Sequence, residues 1–398
     1  MKKVLIVSAV FPPEQVTSAL LNYDLARELS KKYDVTVLRP FPTRPFGMKF
    51  DYDGLKDEPF KTILINSFTY PQSELIGRFI ESNDFGRKSV AYIKEHHNEI
   101  AFVYNDGWQL FGLYKVAKIC KRYGIPYMVP IQDIYPECLF TNKSYPGILK
   151  WLIRSTLLPV DKYYQKHAYC IRTISDEMAE YLSKTRHIQR EKYLVVNNWQ
   201  NDEEFMAIPE SDESNVFVYA YVGSINAHAN VDLMIQAFAE ANLPNSELRI
   251  YGGGNQLDAC RQLVKGLGLT NVTFGFVSRK EIPSVQASAS VLILALPTGN
   301  GSLCLPSKLT SYMLSGKPVL ASIDQESATR RILEGERCGK SVVPDNKEAL
   351  VQGFRSFKAM PKNELRKMGE NSRAYAMKHL TRKENLSLVV NIINNLLQ

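Results

Sequence analysis

The chain has 398 residues, enough for two or three domains at roughly 100–200 residues each and for a large buried core. Hydrophobic residues make up 45% and charged residues 23%, with 22 glycines and 20 prolines, which excludes collagen-like and low-complexity chains. The formal net charge is +8 and it is uneven: residues 1–200 hold 28 Lys+Arg against 21 Asp+Glu, whereas residues 201–398 hold 21 against 20. A basic first half attracts anionic lipid or phosphorylated substrates, or serves solubility alone. Nucleic acid is the weakest candidate, because no nucleic-acid motif and no dense Lys/Arg block is present. No run of 18 apolar residues occurs, so no spanning helix is expected. The six cysteines form no C-x-x-C pair and the histidines form no H-E-x-x-H pattern, so neither a zinc site nor a disulfide framework is expected, as suits a reducing cytosol. His96 and His97 lie in a polar stretch and read as a solvated helix end.

The opening MKKVLIVSAVFPPE imitates a signal peptide, but its apolar run is short and Pro12-Pro13-Glu14 follows it, so a first strand is predicted. A helix follows, with Leu21, Leu25 and Leu29 on one face. YDVTVLRP, KTILINSF and AFVYND are strands, GLYKVAKICKRYG is a helix ending at Gly124, and IPYMVPIQD, CIRTIS and KYLVVNN are strands. An acidic, polar linker spans 198–215. The alternation then restarts: strand 216–224, a helix, SELRIYGGG, a helix, NVTFGFV, SVLILAL, a short helix PSKLTSYMLSG, KPVLASI and KSVVP. Two α/β units of similar size are predicted, each a parallel sheet covered by helices. The final ENLSLVVNIINNLLQ is an apolar-striped helix able to dock on either one.

Ligands of open α/β sheets bind beyond the carboxyl ends of strands, so the loops there are the informative places. No G-x-G-x-x-G follows the first strand, which disfavours a dinucleotide site. Glu14, Gln15, Thr17 and Ser18 sit there instead, either as a helix cap or as substrate contacts. Gly223 permits close backbone approach to a ligand, or simply makes a turn. YGGGNQ reads mainly as a tight turn. The most informative stretch is 296–322. Pro306 and Ser307 start a helix and place Lys308 in its first turn, where a cation opposes the helix dipole. That placement becomes favourable if an anion is bound, since first-turn amides and the ammonium then converge on phosphate oxygens. The alternative is an ordinary helix with Lys308 in solvent. TGNGS before it leaves room for a sugar or base.

At these residues the chain resembles family-4 retaining glycosyltransferases of the GT-B fold, over nearly its whole length. VLIVSAVFPPE, YDLAREL and YDVTVL are similar to the family's opening, and QDIYPE to the D-L-W-P-E of a bacterial polysaccharide branch with N-acetylfucosaminyl and colanic-acid-type transferases. VVNNWQND, YVGSINAHANVDLMIQAF, LRIYGGGNQ and PSKLTSYMLSGKPVLAS are similar to further motifs in the family's order. The resemblance implies two Rossmann-like domains facing across a cleft: 1–200 for the acceptor, 201–375 for the nucleotide-sugar, and a C-terminal helix 376–398 returning to the first. It implies transfer from a nucleotide-sugar, such as a UDP-sugar, to a saccharide or polyprenyl-diphosphate-linked acceptor in surface polysaccharide synthesis. No metal or cofactor is expected, and the place of action is the cytoplasm, including the inner face of its membrane.

Carried over by position, Lys308 and the amides after Pro306 face the donor phosphates, with Ser307 and Leu309 beside them. Gly223, Ser224, Ile225 and Gly252 approach the diphosphate, and Phe276 and Val277 flank the base. Ser302 and Leu303 lie toward the donor sugar. The family's Glu-x7-Glu pair maps onto Leu303 and Ser311, its Arg and Lys onto Ser224 and Ala229, and an acceptor-side histidine onto Gln132. Asp133 is the acidic candidate, for positioning the acceptor hydroxyl or drawing off its proton, with a turn cap as the alternative. Glu14, Thr17, Ser18, Gln132 and Asp133 are the acceptor-side set, and Asp133 with Lys308 the catalytic pair; Glu137 reads as structural. SYPGILKWLIRSTLLPVDKYYQKH mixes Trp151, Leu152 and Leu157 with Lys150 and Arg154, which suits either a bilayer interface or a core helix with snorkelling cations. Two further readings stay open: a sugar-nucleotide 2-epimerase of the same fold, and a nucleotide-sugar-binding module that lost its glutamates and its activity.

Overall fold

A computed structural model describes residues 1–14, 16–44, 50, 55–70, 75–108, 110–140, 145–208, 215–226, 229–299 and 305–398. It divides into two units: 1–196 with 386–398, and 197–385.

In the first unit the strands are β1 (Lys3–Ser8), β2 (Asp34–Pro40), β3 (Lys61–Ile65), β4 (Ile100–Asp106), β5 (Tyr127–Pro130), β6 (Cys170–Thr173) and β7 (Tyr193–Val195). They form one parallel sheet in the order β3-β2-β1-β4-β5-β6-β7. Covered on both faces, β1 is apolar and buried from Val4 to Val7, whereas edge strand β3 is only partly covered. The helix Phe111–Tyr123 stops at Gly124, whose φ of 66° returns its N–H to the Cys120 carbonyl. Two further helices, Leu75–His96 and Gly147–His167, pack on either side of it, and Pro159 does not end the second. The last helix, Arg382–Leu397, sends Leu386, Val389, Ile393 and Leu397 into this unit's core at helical spacing. Lys2 Nζ donates to the Leu397 carbonyl, and the Tyr33 hydroxyl to Asn394 Oδ1 at 2.8 Å.

The second unit repeats the plan. Its strands are β8 (Phe217–Val222), β9 (Ser246–Tyr251), β10 (Val272–Gly275), β11 (Val291–Ala295), β12 (Val319–Ser322) and β13 (Gly339–Val342), ordered β10-β9-β8-β11-β12-β13 and all parallel. Tyr219 and Tyr221 of β8 enter the core on one face and Val218, Ala220 and Val222 the core on the other, as the two-residue period requires. The expected linker is not structureless: Asp202–Met206 is a short helix whose Phe205 is buried. In each unit strand order reverses beside the first strand, between β1 and β4 and between β8 and β11, which opens a crevice at the carboxyl edge.

Candidate functional site

In the second unit, β8 pairs with β11 only at Tyr219 and Ala220, so the two strands part before β8 ends. The Tyr312 hydroxyl fills the gap, accepting from the Val222 N–H at 3.0 Å and donating to the Val222 carbonyl at 3.2 Å. Tyr312 lies on the helix Ser307–Leu314, so this phenol fixes the helix against the strand end. The helix N-terminus has no side-chain cap and no acidic residue in its first turn. The Ser307 and Lys308 N–H groups, in the helix's first turn, have no partner among the described residues.

Lys308 crosses the edge of the sheet there. Its Nζ donates to the Tyr221 hydroxyl, which donates onward to the Ser224 carbonyl at 2.7 Å, and lies 4.4 Å from the Tyr221 ring centre. Gly223 leaves room for this placement of the lysine: a Cβ there would sit 2.2 Å from Lys308 Cε, and the flexible end of the lysine would have to move. No carboxylate pairs with Lys308 among the described residues, and burial pushes its pKa down to about 8. The sequence alternative of Lys308 in open solvent therefore fails.

The three glycines after β9 do more than turn the chain. A Cβ on Gly252, at φ 146°, would meet the Gly223 carbonyl oxygen at 1.9 Å. The two loops are zipped by Gly223 N–H to the Tyr251 carbonyl at 2.8 Å and Ile225 N–H to the Gly253 carbonyl at 2.9 Å. Ser224 stays exposed beside them. Phe276, 85% exposed after β10, presents a free aromatic face, with Val277 half-buried next to it. The loop after β11 is braced by carboxylates that sequence reasoning missed. Asp345 accepts from the Thr298 N–H at 2.9 Å and Asp324 from the Gly299 N–H at 2.9 Å. Burial alone would raise the Asp345 pKa, but the Thr298 and Asn230 hydrogen bonds hold it below the usual range.

Three donor-side assignments need correction. Ile225 and Leu309 are fully buried core residues, and their N–H groups are taken by Gly253 and Pro306. Ser311 is also buried; its hydroxyl donates to the Lys308 carbonyl at 2.9 Å and accepts from Gln286 Nε2 at 3.2 Å. Pro306 occupies the cap position and Gly252 the loop approach. Ser302 and Leu303 lie outside the described residues.

In the first unit the same region is built from side chains. Glu14 is buried and accepts from the N–H groups of Thr43 at 2.9 Å, Arg44 at 3.0 Å and Phe11 at 3.3 Å. It is a brace for three backbone segments, not an open acceptor contact, and burial raises its pKa against those bonds. Thr17 and Ser18 begin their helix but do not cap it; Val16 holds the cap position. The Ser18 hydroxyl reaches Gln132 Oε1 at 3.4 Å, joining the loops after β1 and β5. Gln15 lies outside the described residues. Asp133 keeps an exposed surface, yet protein packed around it pushes its carboxyl pKa up. Glu137 is structural: both its oxygens pair with Arg186, at 2.7 and 2.8 Å.

Asp106, at the end of β4 and beside the crevice, was not legible as a candidate. Its Oδ2 accepts from Asn22 Nδ2 at 2.6 Å, and Asn22 also reaches the Ser8 hydroxyl at the end of β1 at 2.7 Å. Burial raises the Asp106 pKa to about 6. The signal was its position: a carboxylate ending the strand on the far side of the order reversal. Among the described residues no group of three His, Cys, Asp or Glu side chains comes together to hold a metal ion.

Two doubly wound parallel-sheet units in tandem are the GT-B architecture. The Anabaena protein HepE, solved in complex with UDP and glucose, superposes with a TM-score of 0.71 at 15% identity, over 99% of this chain and 100% of that one. Residues 201–375 match the family model of glycosyl transferases group 1. Among curated proteins, an exopolysaccharide phosphotransferase of Streptomyces coelicolor is 32% identical over 126 residues, 31% of this chain and 13% of that protein. A probable glycosyltransferase of Pseudomonas aeruginosa, WbjE, is 20% identical over 240 residues, 58% of this chain and 59% of that one. The matches thus span a small part of the first relative and about three fifths of the second.

Proposed function

We propose that the chain is a retaining glycosyltransferase that takes a UDP-sugar as donor and a saccharide or lipid-linked saccharide as acceptor in bacterial polysaccharide synthesis. One observation carries the reading. A lysine with no carboxylate partner among the described residues is held at an uncapped helix N-terminus, over a glycine, at the order reversal of a sheet in the unit that matches the group 1 glycosyl transferase model. That arrangement supplies two amides and an ammonium for a diphosphate. The choice of UDP draws on the HepE complex. Phe276 offers its face to the base and Ser224 lies open to the donor.

In the transfer, the acceptor oxygen bonds to the anomeric carbon on the face from which the diphosphate leaves. The sugar–diphosphate C–O bond breaks, and the acceptor proton passes to the departing diphosphate. Lys308 and the helix amides stabilise the negative charge developing on that group. They supply positive charge without a divalent ion, so turnover is expected to persist in EDTA. Asp133 is assigned to holding the acceptor hydroxyl.

The buried Ser311, in place of a ribose-binding carboxylate, favours one competing reading: a module that binds nucleotide weakly and turns over nothing. A thermal-shift panel with UDP, GDP, CMP, ADP and NAD, run with Lys308→Ala alongside, separates them. At 100 times its dissociation constant a ligand stabilises by ~2.7 kcal/mol, a shift of roughly 5–10 °C in domains of this size. A UDP-selective shift lost in Lys308→Ala supports the donor site, and no shift with any nucleotide defeats it. Incubation with donor alone then excludes an epimerase if the UDP-sugar returns unchanged.

A further inference from the structure

The segment after β5 carries the exposed Asp133 and is thinly tied by its own backbone. The Ile131 N–H still reaches the Arg172 carbonyl on β6 at 2.8 Å, and the Cys138 N–H closes a turn onto the Ile134 carbonyl at 2.8 Å. Between them, the N–H groups of residues 132–135 and 137 donate to no backbone carbonyl among the described residues. The Asp133 carboxylate has no hydrogen bond of its own among the described residues, so the backbone beneath it sets its direction.

Arg186 holds that backbone. It is the last residue of the helix Asp176–Arg186, and it is buried. Its Nη2 donates to the Tyr135 carbonyl at 2.6 Å and to Glu137 Oε2 at 2.8 Å, and its Nη1 donates to Glu137 Oε1 at 2.7 Å. Nη1 also reaches the Thr185 hydroxyl at 2.9 Å, and Nε reaches Asp161 Oδ2 at 2.6 Å. Every guanidinium N–H is thus committed. The fork is itself held from behind. Asp161, buried on the helix Gly147–His167, also accepts from Gln165 Nε2 at 2.7 Å and from the Tyr164 hydroxyl. Gln165 in turn accepts from the Tyr193 hydroxyl on β7 at 3.1 Å.

This cluster is a costly way to stabilise a fold. One cation faces two carboxylates, and apolar side chains of similar volume often serve stability as well as a buried ion cluster or better. What a planar, fully bonded fork adds is fixed direction. It grips the chain at the carbonyl of Tyr135 and the side chain of Glu137, directly after Asp133.

We propose that Arg186 is a positioning residue: backed by Asp161 and closed by Glu137, it fixes the segment after β5 and so aims the Asp133 carboxylate at the acceptor hydroxyl. The inference rests on the role of Asp133 in the proposed transfer.

The test is Arg186→Lys, which keeps the charge and loses the fork. UDP release is measured with UDP-glucose, UDP-galactose and UDP-N-acetylglucosamine, water standing in for the acceptor. Arg186→Lys is expected to lower release by about tenfold or more with the UDP-induced thermal shift kept, and to cost less than about twofold in an Asp133→Asn background. An equal loss in both backgrounds would show that Arg186 does not act through Asp133, and would overturn the proposal. Hydrogen exchange of residues 131–138 is expected to quicken about tenfold or more in Arg186→Lys, while the second unit keeps its rates. Unchanged exchange in that segment overturns the proposal as well. Glu137→Gln leaves the Arg186–Asp161 pair intact and carries the same two readouts if Arg186→Lys does not fold. A wild type that releases no UDP from any of the three donors defeats the transferase reading alone, and the exchange arm then decides whether Arg186 fixes the segment.

Discussion

The two units share a strand order and differ in what fills the crevice beside the first strand. In the second, backbone meets backbone. Gly223 and Gly252 let two loops close to hydrogen-bonding distance, and Lys308, which enters there, has no carboxylate partner among the described residues. In the first, side chains occupy the same region. Glu14 grips three amides, Asn22 ties Asp106 to Ser8, and Ser18 meets Gln132. The backbone-lined crevice suits an invariant anionic ligand, because amides and a helix terminus recognise phosphate whatever it carries. The side-chain-lined one suits a ligand whose shape is read group by group. One topology thus carries two differently lined crevices, set apart by the presence or absence of Cβ atoms at the loop.

The contrast breaks most sharply at Lys308. Lys308→Met is expected to weaken UDP binding about 10–100-fold, the worth of a charge-assisted hydrogen bond of ~1.5–3 kcal/mol, by isothermal titration calorimetry. The same change should raise the ligand-free melting temperature by about 2–4 °C, a response to ~1 kcal/mol, because the buried ammonium has only the Tyr221 hydroxyl and ring, and no carboxylate among the described residues, to offset its desolvation. A variant that binds UDP normally would remove the lysine from the site. Next comes Glu14→Ala, which leaves three amides unanswered. It is expected to destabilise the first unit by about 2–3 kcal/mol in urea unfolding while UDP affinity stays within twofold. If both properties fall together, the two units are not separable in this way.

Gly223→Ala should weaken UDP binding by roughly tenfold, since its Cβ takes the place of Lys308 Cε. Acidity sharpens the comparison further. Lys308 loses its proton as pH rises through about 8, and a diphosphate prefers the ammonium, so UDP affinity should decline above pH 8 by up to about tenfold per unit. A flat profile from pH 7 to 9.5 would contradict this. The smallest effect belongs to Asp106. Its folded pKa of about 6 exceeds its ordinary value of 3.8, so the folded state holds the extra proton between them. Stability of the first unit therefore falls as pH rises from about 4 to 6 and is level above. Asp106→Asn should flatten that slope in urea titrations.

The sheets were legible because both-face burial writes strands as apolar runs, and β8 and β11 could be read directly. Lys308 was legible because a cation in a first helical turn conflicts with the local dipole. Tyr221 and Tyr312 were not, since each looks like a core aromatic until strand order shows a gap beside Val222. Ile225 and Leu309 were misplaced because nearness in sequence to the crevice says nothing of which way a side chain turns. The 147–167 stripe was ambiguous for a different reason. The same apolar period serves a core or a bilayer, and the structure splits the stripe: Leu157 is buried, whereas Ile148, Trp151 and Leu152 are exposed.

The returning segment 386–398 has a consequence for the order of assembly. Val389 and Ile393 are fully buried in a unit whose other residues all precede position 197, so that core cannot close when its own strands have been made. It must wait while the whole second unit is synthesised, roughly 10–40 s at ~5–20 residues per second. During that interval the first sheet stands with an apolar slot open and the second is free to complete. Protease sensitivity of ribosome-bound chains halted before and after 386–398 should therefore change in the first unit alone. A first unit already protected before that segment emerges would show that the slot is filled some other way.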